Sequence, residues 1–146
     1  MKQEVSTVSR EEKNNVLVRL KEAQEKYGYV TEQAMAEIAE AAGITIGDVY
    51  GIATFYTFLS VKPVGRNVIR ICRSLPCHLK NAEAVIESLK QALSIAPGET
   101  TADGRFTLEL TNCIGACDMA PAMLVNGELH GNLTPDGIAG ILAGYK

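Results

Sequence analysis

The sequence predicts an α+β chain. A three-helix domain over residues 1–62 precedes an α/β domain over 63–146 built on a four-stranded mixed sheet. Three observations predict it. Apolar residues recur at helical spacing through the first part of the chain. From Val68 onward the pattern changes to short β-branched or alternating runs, with one long amphipathic helix between them. Pro63-Val64-Gly65 marks the change, as a proline–glycine break does at a domain boundary.

In the first domain, Ser9-Arg10-Glu11-Glu12 has the form of a capping box, and Val16, Leu20, Ala23 and Tyr27 follow on one helical face up to Gly28. Thr31 is placed to cap a second helix carrying Met35, Ile38, Ala39 and Ala42, with Gly43 at its end. Thr45-Ile46-Gly47-Asp48 is placed to cap a third, with Val49, Ile52, Ala53 and Tyr56 inward. The aromatic-rich stretch Phe55-Tyr56-Thr57-Phe58-Leu59 reads first as core packing, because such residues are usually buried, and second as a face for a partner. Glu11, Glu12 and Lys13 read as a solvated helix face.

In the second domain, Val68-Ile69-Arg70-Ile71 is a strand running into Cys72. Pro76 biases Leu75 toward extended backbone. Ala82, Val85, Ile86, Leu89 and Leu93 form one face of a helix that Pro97-Gly98 ends. Phe106, Leu108 and Leu110 alternate with polar residues in a second strand running into Cys113. Asn126-Gly127, between Ala122–Val125 and Glu128–His130, is a strong hairpin signal. Thr134-Pro135 opens a last helix that turns Ile138, Ile141 and Leu142 inward. A strand–helix–strand crossover implies a right-handed parallel pair. Adding a hairpin and a closing helix gives a thioredoxin-like arrangement, with the loop 112–120 standing where thioredoxin has its central helix.

Composition narrows the function. Of 146 residues, 47% are apolar and 21% charged, which suits a packed globular protein and excludes disorder. The net charge of −3 offers no basic field for nucleic acid. No apolar run is long enough for a membrane span, and Met1–Glu12 lacks the apolar core of a secretory signal, so a cytoplasmic location is expected. There is no G-x-G-x-x-G and no G-x-x-x-x-G-K-[ST], so a nicotinamide or nucleotide is expected on a partner and not on this chain.

The four cysteines carry the chemistry. Cys72 and Cys77 are spaced C-x4-C, and Cys113 and Cys117 are spaced C-x3-C. In a reducing compartment clustered thiols point to a metal site and not to disulfides. The predicted fold places both pairs at the carboxyl ends of the two parallel strands, the edge where open α/β sheets build their sites. Thiolates hold zinc or an iron–sulfur cluster. The slim, apolar spacers Ser74-Leu75-Pro76 and Ile114-Gly115-Ala116 favour the cluster, because they let amides approach the sulfurs and keep water away. A helix starting just after Cys77 is expected to aim its positive end at the site. Zinc remains the first alternative, and disulfides or free thiols the second. The C-x-x-C of a thioredoxin-type dithiol is absent.

Val49-Tyr50-Gly51-Ile52-Ala53-Thr54-Phe55-Tyr56, the Cys72-x4-Cys77 pair, Cys113-Ile114-Gly115-Ala116-Cys117-Asp118-Met119-Ala120-Pro121 and Val125-Asn126-Gly127 resemble the thioredoxin-like 2Fe-2S ferredoxin subunit family. Such subunits occur in respiratory NADH dehydrogenase, in NAD(P)-linked and often electron-bifurcating iron hydrogenases, and in NAD-linked formate dehydrogenases. The resemblance runs from about Ser9 to Ile141. It implies one 2Fe-2S cluster held by Cys72, Cys77, Cys113 and Cys117, and one-electron transfer without a catalytic residue on this chain. It implies a partner flavoprotein subunit that carries FMN, NAD(H) and a 4Fe-4S cluster, plus a further iron–sulfur or hydrogenase subunit. The compact chain is more similar to the hydrogenase-type subunits. Lys80-Asn81 stands where relatives often have a basic residue and glycine. Leu75, Ile114 and Met119 are expected to shield the cluster. His78 reads as a surface or capping residue, His130 as packed or solvated, and Asp118 as solvated. Ala120-Pro121 is a candidate cis bond.

Overall fold

The structure is a computed structural model and describes residues 15–146. The proposed cap at Ser9 and the Glu11–Lys13 face lie outside the described residues. The chain divides into two compact units, the first ending at Pro63 and the second spanning Val64–Lys146.

Three described helices form the first unit: α1 (Val16–Tyr27), α2 (Glu32–Ala42) and α3 (Ile46–Phe55). Each starts on a side-chain cap that satisfies an orphan amide. Asn15 accepts from Leu17, Thr31 accepts from Ala34 at 3.1 Å, and Thr45 and Asp48 cap each other reciprocally. Gly28 and Gly43 end α1 and α2 in the left-handed conformation, where a side chain is disfavoured. Leu20, Val30, Met35, Ile38, Ala39, Val49, Ala53 and Leu59 make the core. The Gln24 side chain braces the far end, accepting from the Ser60 amide and donating to the Phe58 carbonyl.

The aromatic stretch meets the expectation of core packing at Tyr56 and Leu59 but not at Phe55 and Phe58. Leu59 is buried, but Phe55 is 77% exposed and Phe58 also faces solvent. Phe55 is the last residue of α3, past the buried Val49–Ala53 stripe, and its exposed ring meets Tyr56 edge-on.

The second unit runs β1 (Asn67–Cys72), α4 (Leu75–Leu79), α5 (Ala82–Leu93), β2 (Phe106–Thr111), a 3₁₀ turn (Cys117–Met119), β3 (Met123–Val125), β4 (Glu128–His130), a second 3₁₀ turn (Pro135–Gly137) and α6 (Ile138–Ala143). The sheet order is β2-β1-β3-β4, with β1 and β2 parallel and the other two pairings antiparallel. One face of the sheet supplies Ile69, Ile71, Phe106, Leu108, Met123 and Val125 to a core completed by Val85, Ile86, Leu89, Leu133, Ile138 and Leu142. The hairpin turns on Asn126 and Gly127, both at positive φ. Gly65 is required by contact: a Cβ there would lie 2.8 Å from the Phe106 backbone carbon.

Two local expectations are corrected. Leu75 is helical and not extended, because it and Pro76 occupy the first turn of α4, where a missing amide hydrogen bond costs nothing. The long helix does not begin just after Cys77. Cys77 lies within the short α4, and α5 starts at Ala82 after Asn81 turns the chain at φ 67°. Asparagine is the residue besides glycine that adopts this conformation most readily, so Asn81 can make the turn.

Candidate metal centre

β1 ends on Cys72, and the strand's pairing buries that residue to 1% exposure. The chain then turns through Ser74 into α4, which faces Cys77 inward at 2% exposure. Cys72, Cys77 and Ala82 form a small apolar cluster, with Ile114 and Ala120 packed against it. The parallel register sets Cys72 opposite Thr111. The loop leaving β2 therefore starts at the same sheet edge, and it carries Cys113 and then Cys117 at the head of the 3₁₀ turn. Cys113 and Cys117 are exposed, with their sulfurs 3.5 Å apart.

The sulfurs influence one another across the two loops. Burial pushes the Cys72 thiol up, but the Ser74 amide, the Cys77 thiol, the Ser74 hydroxyl and the Ile114 amide together bring it below its ordinary value. The Cys77 thiol is raised, first by burial and then by Cys72 and Cys117, against the Ala122 amide that favours its thiolate. The Cys117 thiol is raised by its hydrogen bond to Cys113 and by that group's charge, then by burial, Cys72 and Asp118. Cys72 thus feels both Cys77 on α4 and the exposed loop. Gly115 donates its amide to Cys113 Sγ at 3.4 Å. Among the described residues no three His, Cys, Asp or Glu side chains gather as a single-ion site. The thiols instead form two pairs with Cys117 electrostatically linked to both. A donor set of four soft thiolates in two pairs, with amides facing the sulfurs, fits a binuclear iron–sulfur cluster, which takes two ligands on each iron.

The surroundings differ in part from expectation. Ile114 and Met119 are partly buried beside the cysteines, but Leu75 is 66% exposed. His78 and Asp118 are exposed. Ala120-Pro121 is cis. His130 packs edge-on against Tyr145 and shares a hydrogen bond with its hydroxyl, which also donates to Glu128. The Ala122 amide beside Cys77 is not legible in the sequence, because backbone donors carry no residue signature.

The sheet order, the helical crossover and the cysteine-rich carboxyl edge define a thioredoxin-like protein of the iron–sulfur class. The chain belongs to the thioredoxin-like 2Fe-2S ferredoxin family, whose profile matches residues 1–146. Membership gives it a 2Fe-2S cofactor. It is 44% identical over 126 residues to an NADH-quinone oxidoreductase subunit from Pseudomonas aeruginosa, covering 86% of this chain and 76% of the relative. It is 34% identical over 135 residues to the HndA subunit of the NADP-reducing hydrogenase from Solidesulfovibrio fructosivorans, covering 92% and 79%. Among solved structures, a chain of an air-oxidized NAD+-reducing NiFe hydrogenase aligns with a TM-score of 0.74 at 30% identity, over 85% of this chain and 22% of the hydrogenase chain. No described helix is long and apolar enough to cross a membrane.

Proposed function

We propose that the chain is an electron-transfer subunit of an NAD(P)H-linked multi-subunit oxidoreductase, with its 2Fe-2S cluster held by Cys72, Cys77, Cys113 and Cys117. The observation that carries this reading is the placement of two thiol pairs at the carboxyl ends of the parallel strands β1 and β2, with the Gly115 amide donating to Cys113 Sγ. When bound, the cluster supplies a one-electron carrier. Cys72 and Cys77 anchor it on the shielded side, and Cys113 and Cys117 on the side open to solvent. Amides aimed at thiolates stabilise added negative charge and so raise a cluster's potential.

The helical unit is the docking part of this reading, and residues 63–146 are the electron-carrying domain. Tyr50, Ile46 and Phe55 are each at least half exposed on α3, and charged residues are few on that helix. The partner is a flavoprotein subunit carrying FMN, NAD(H) and a 4Fe-4S cluster, alongside a further iron–sulfur or hydrogenase subunit. The higher identity favours the NADH-quinone oxidoreductase type of complex. The NAD(P)-linked hydrogenase type is the second reading, supported by the longer alignment to HndA and by the hydrogenase structure. Anaerobic purification of the tagged chain from its host tests the proposal. A brown chain co-purifying with a flavin-containing subunit is expected, and its quinone- or hydrogen-linked activity separates the two types. An iron-free chain with no flavoprotein contradicts it. Phe55→Ala should weaken capture of the flavoprotein by about tenfold, the cost of a modest interface anchor, without moving the chain's own melting temperature.

A further inference from the structure

The segment leaving β4 lies against the loop that carries Cys117. The Asn132 amide donates to the Met119 carbonyl at 2.6 Å, and the Leu133 amide donates to the Pro121 carbonyl at 3.0 Å. Gly131 meets Met119 directly. A Cβ there would lie 2.5 Å from Met119 Cβ, 2.8 Å from its Cε and 3.1 Å from its carbonyl oxygen. The Cε end can swing aside, but the Cβ and the carbonyl move only with the backbone. The φ of Gly131 lies outside the left-handed region, so contact alone forbids a side chain.

Met119 closes the 3₁₀ turn that Cys117 opens, with its amide on the Ala116 carbonyl at 3.0 Å. A short way on, Ala122 accepts from the Cys72 amide at 3.2 Å and presents its own amide to Cys77. A displacement of Met119 therefore reaches both cysteine pairs. β4 is also held through Tyr145. The Tyr145 hydroxyl donates to Glu128 Oε2 at 2.6 Å and, with that proton committed, accepts from His130 Nε2 at 2.7 Å. The Tyr145 carbonyl accepts from the Arg105 guanidinium.

We propose that Gly131 is a positioning residue for the four-cysteine site: its missing side chain lets the β4 exit seat Met119 and so fixes Cys117 relative to Cys72 and Cys77. This inference rests on the reading of the four cysteines as cluster ligands.

The test uses the full chain, purified anaerobically, with four variants compared to wild type: Gly131→Ala, Gly140→Ala, Met119→Gly and Met119→Gly/Gly131→Ala. Gly140 is the control, because nothing lies within 4 Å of a Cβ built there. The readouts are iron and sulfide content, the g-values of the reduced protein, the midpoint potential, and the rate at which a chelator removes the colour. Gly131→Ala should shift the g-values and the potential and speed colour loss severalfold, while Gly140→Ala matches wild type. Removing the opposing Cβ in the double variant should return the values toward those of Met119→Gly alone, a non-additivity that a generally weakened fold does not produce. If Gly131→Ala does not fold, recovery of a coloured double variant supports the proposal and its failure overturns it. A coloured wild type with a Gly131→Ala variant whose g-values, potential and colour loss match it overturns this inference alone. A colourless, iron-free wild type overturns the ligand reading as well.

Discussion

The two cysteine pairs are built by opposite means. Cys72 and Cys77 sit on regular elements, one ending the central strand β1 and one inside α4, and both are buried. Cys113 and Cys117 sit in an exposed loop, tied by one sulfur contact, one amide and a 3₁₀ turn. The first pair inherits its position from the core, because Ile69 and Ile71 next to it are fully buried. The second pair depends on contacts from distant parts of the chain, such as the β4 exit against Met119. One pair is thus placed by the packed core, and the other by loop contacts nearer the surface.

The largest expected effect separates the pairs. Cys72→Ser should abolish stable cluster incorporation, because the rigid, buried position cannot move to suit a shorter bond to oxygen. Cys113→Ser should keep a cluster with an altered spectrum, because the loop can adjust. Iron and sulfide content together with the visible spectrum check both, and equal loss in the two variants would erase the distinction.

A second effect probes the scaffold behind the buried pair. Ile71→Ala should cost about 2–5 kcal/mol by opening a cavity in the sheet core. Ile114→Ala, at a partly buried position beside Cys72 and Cys77, should cost about 1 kcal/mol but move the cluster spectrum more. Denaturant melts of the apo chain and absorption of the loaded chain measure the two.

The smallest effect concerns the tie on β4. The Tyr145 hydroxyl is pushed up to about 12, by burial first and then by its hydrogen bond to Glu128 and that group's charge. A raised value means the folded chain keeps a proton that the unfolded chain loses, so the stability contribution is complete below about pH 10, the ordinary tyrosine value, and falls as pH rises toward 12. Tyr145→Phe should flatten the alkaline limb of a stability–pH profile between those values.

Most of the fold is legible in the sequence because it follows local rules. The caps at Thr31 and Thr45, the Asn126-Gly127 turn and the alternation of Phe106, Leu108 and Leu110 each determine their element within a few residues. The C-x4-C and C-x3-C spacing locates the candidate ligands for the same reason. What escapes depends on contact between distant segments or on where an element ends. The bias from Pro76 toward extended backbone at Leu75 is a local preference that the first turn of α4 overrides. Aromatic content points Phe55 to the core but does not show where a helix's buried stripe ends. Gly131 against Met119, and Tyr145 between Glu128 and His130, join positions that only the folded chain brings together.

The most direct test of the central claim is the absorption spectrum and metal content of the anaerobically purified chain before and after dithionite. Visible iron–sulfur bands that bleach on reduction, with two irons and two sulfides per chain, are the predicted result. A featureless spectrum with one zinc per chain would contradict the account.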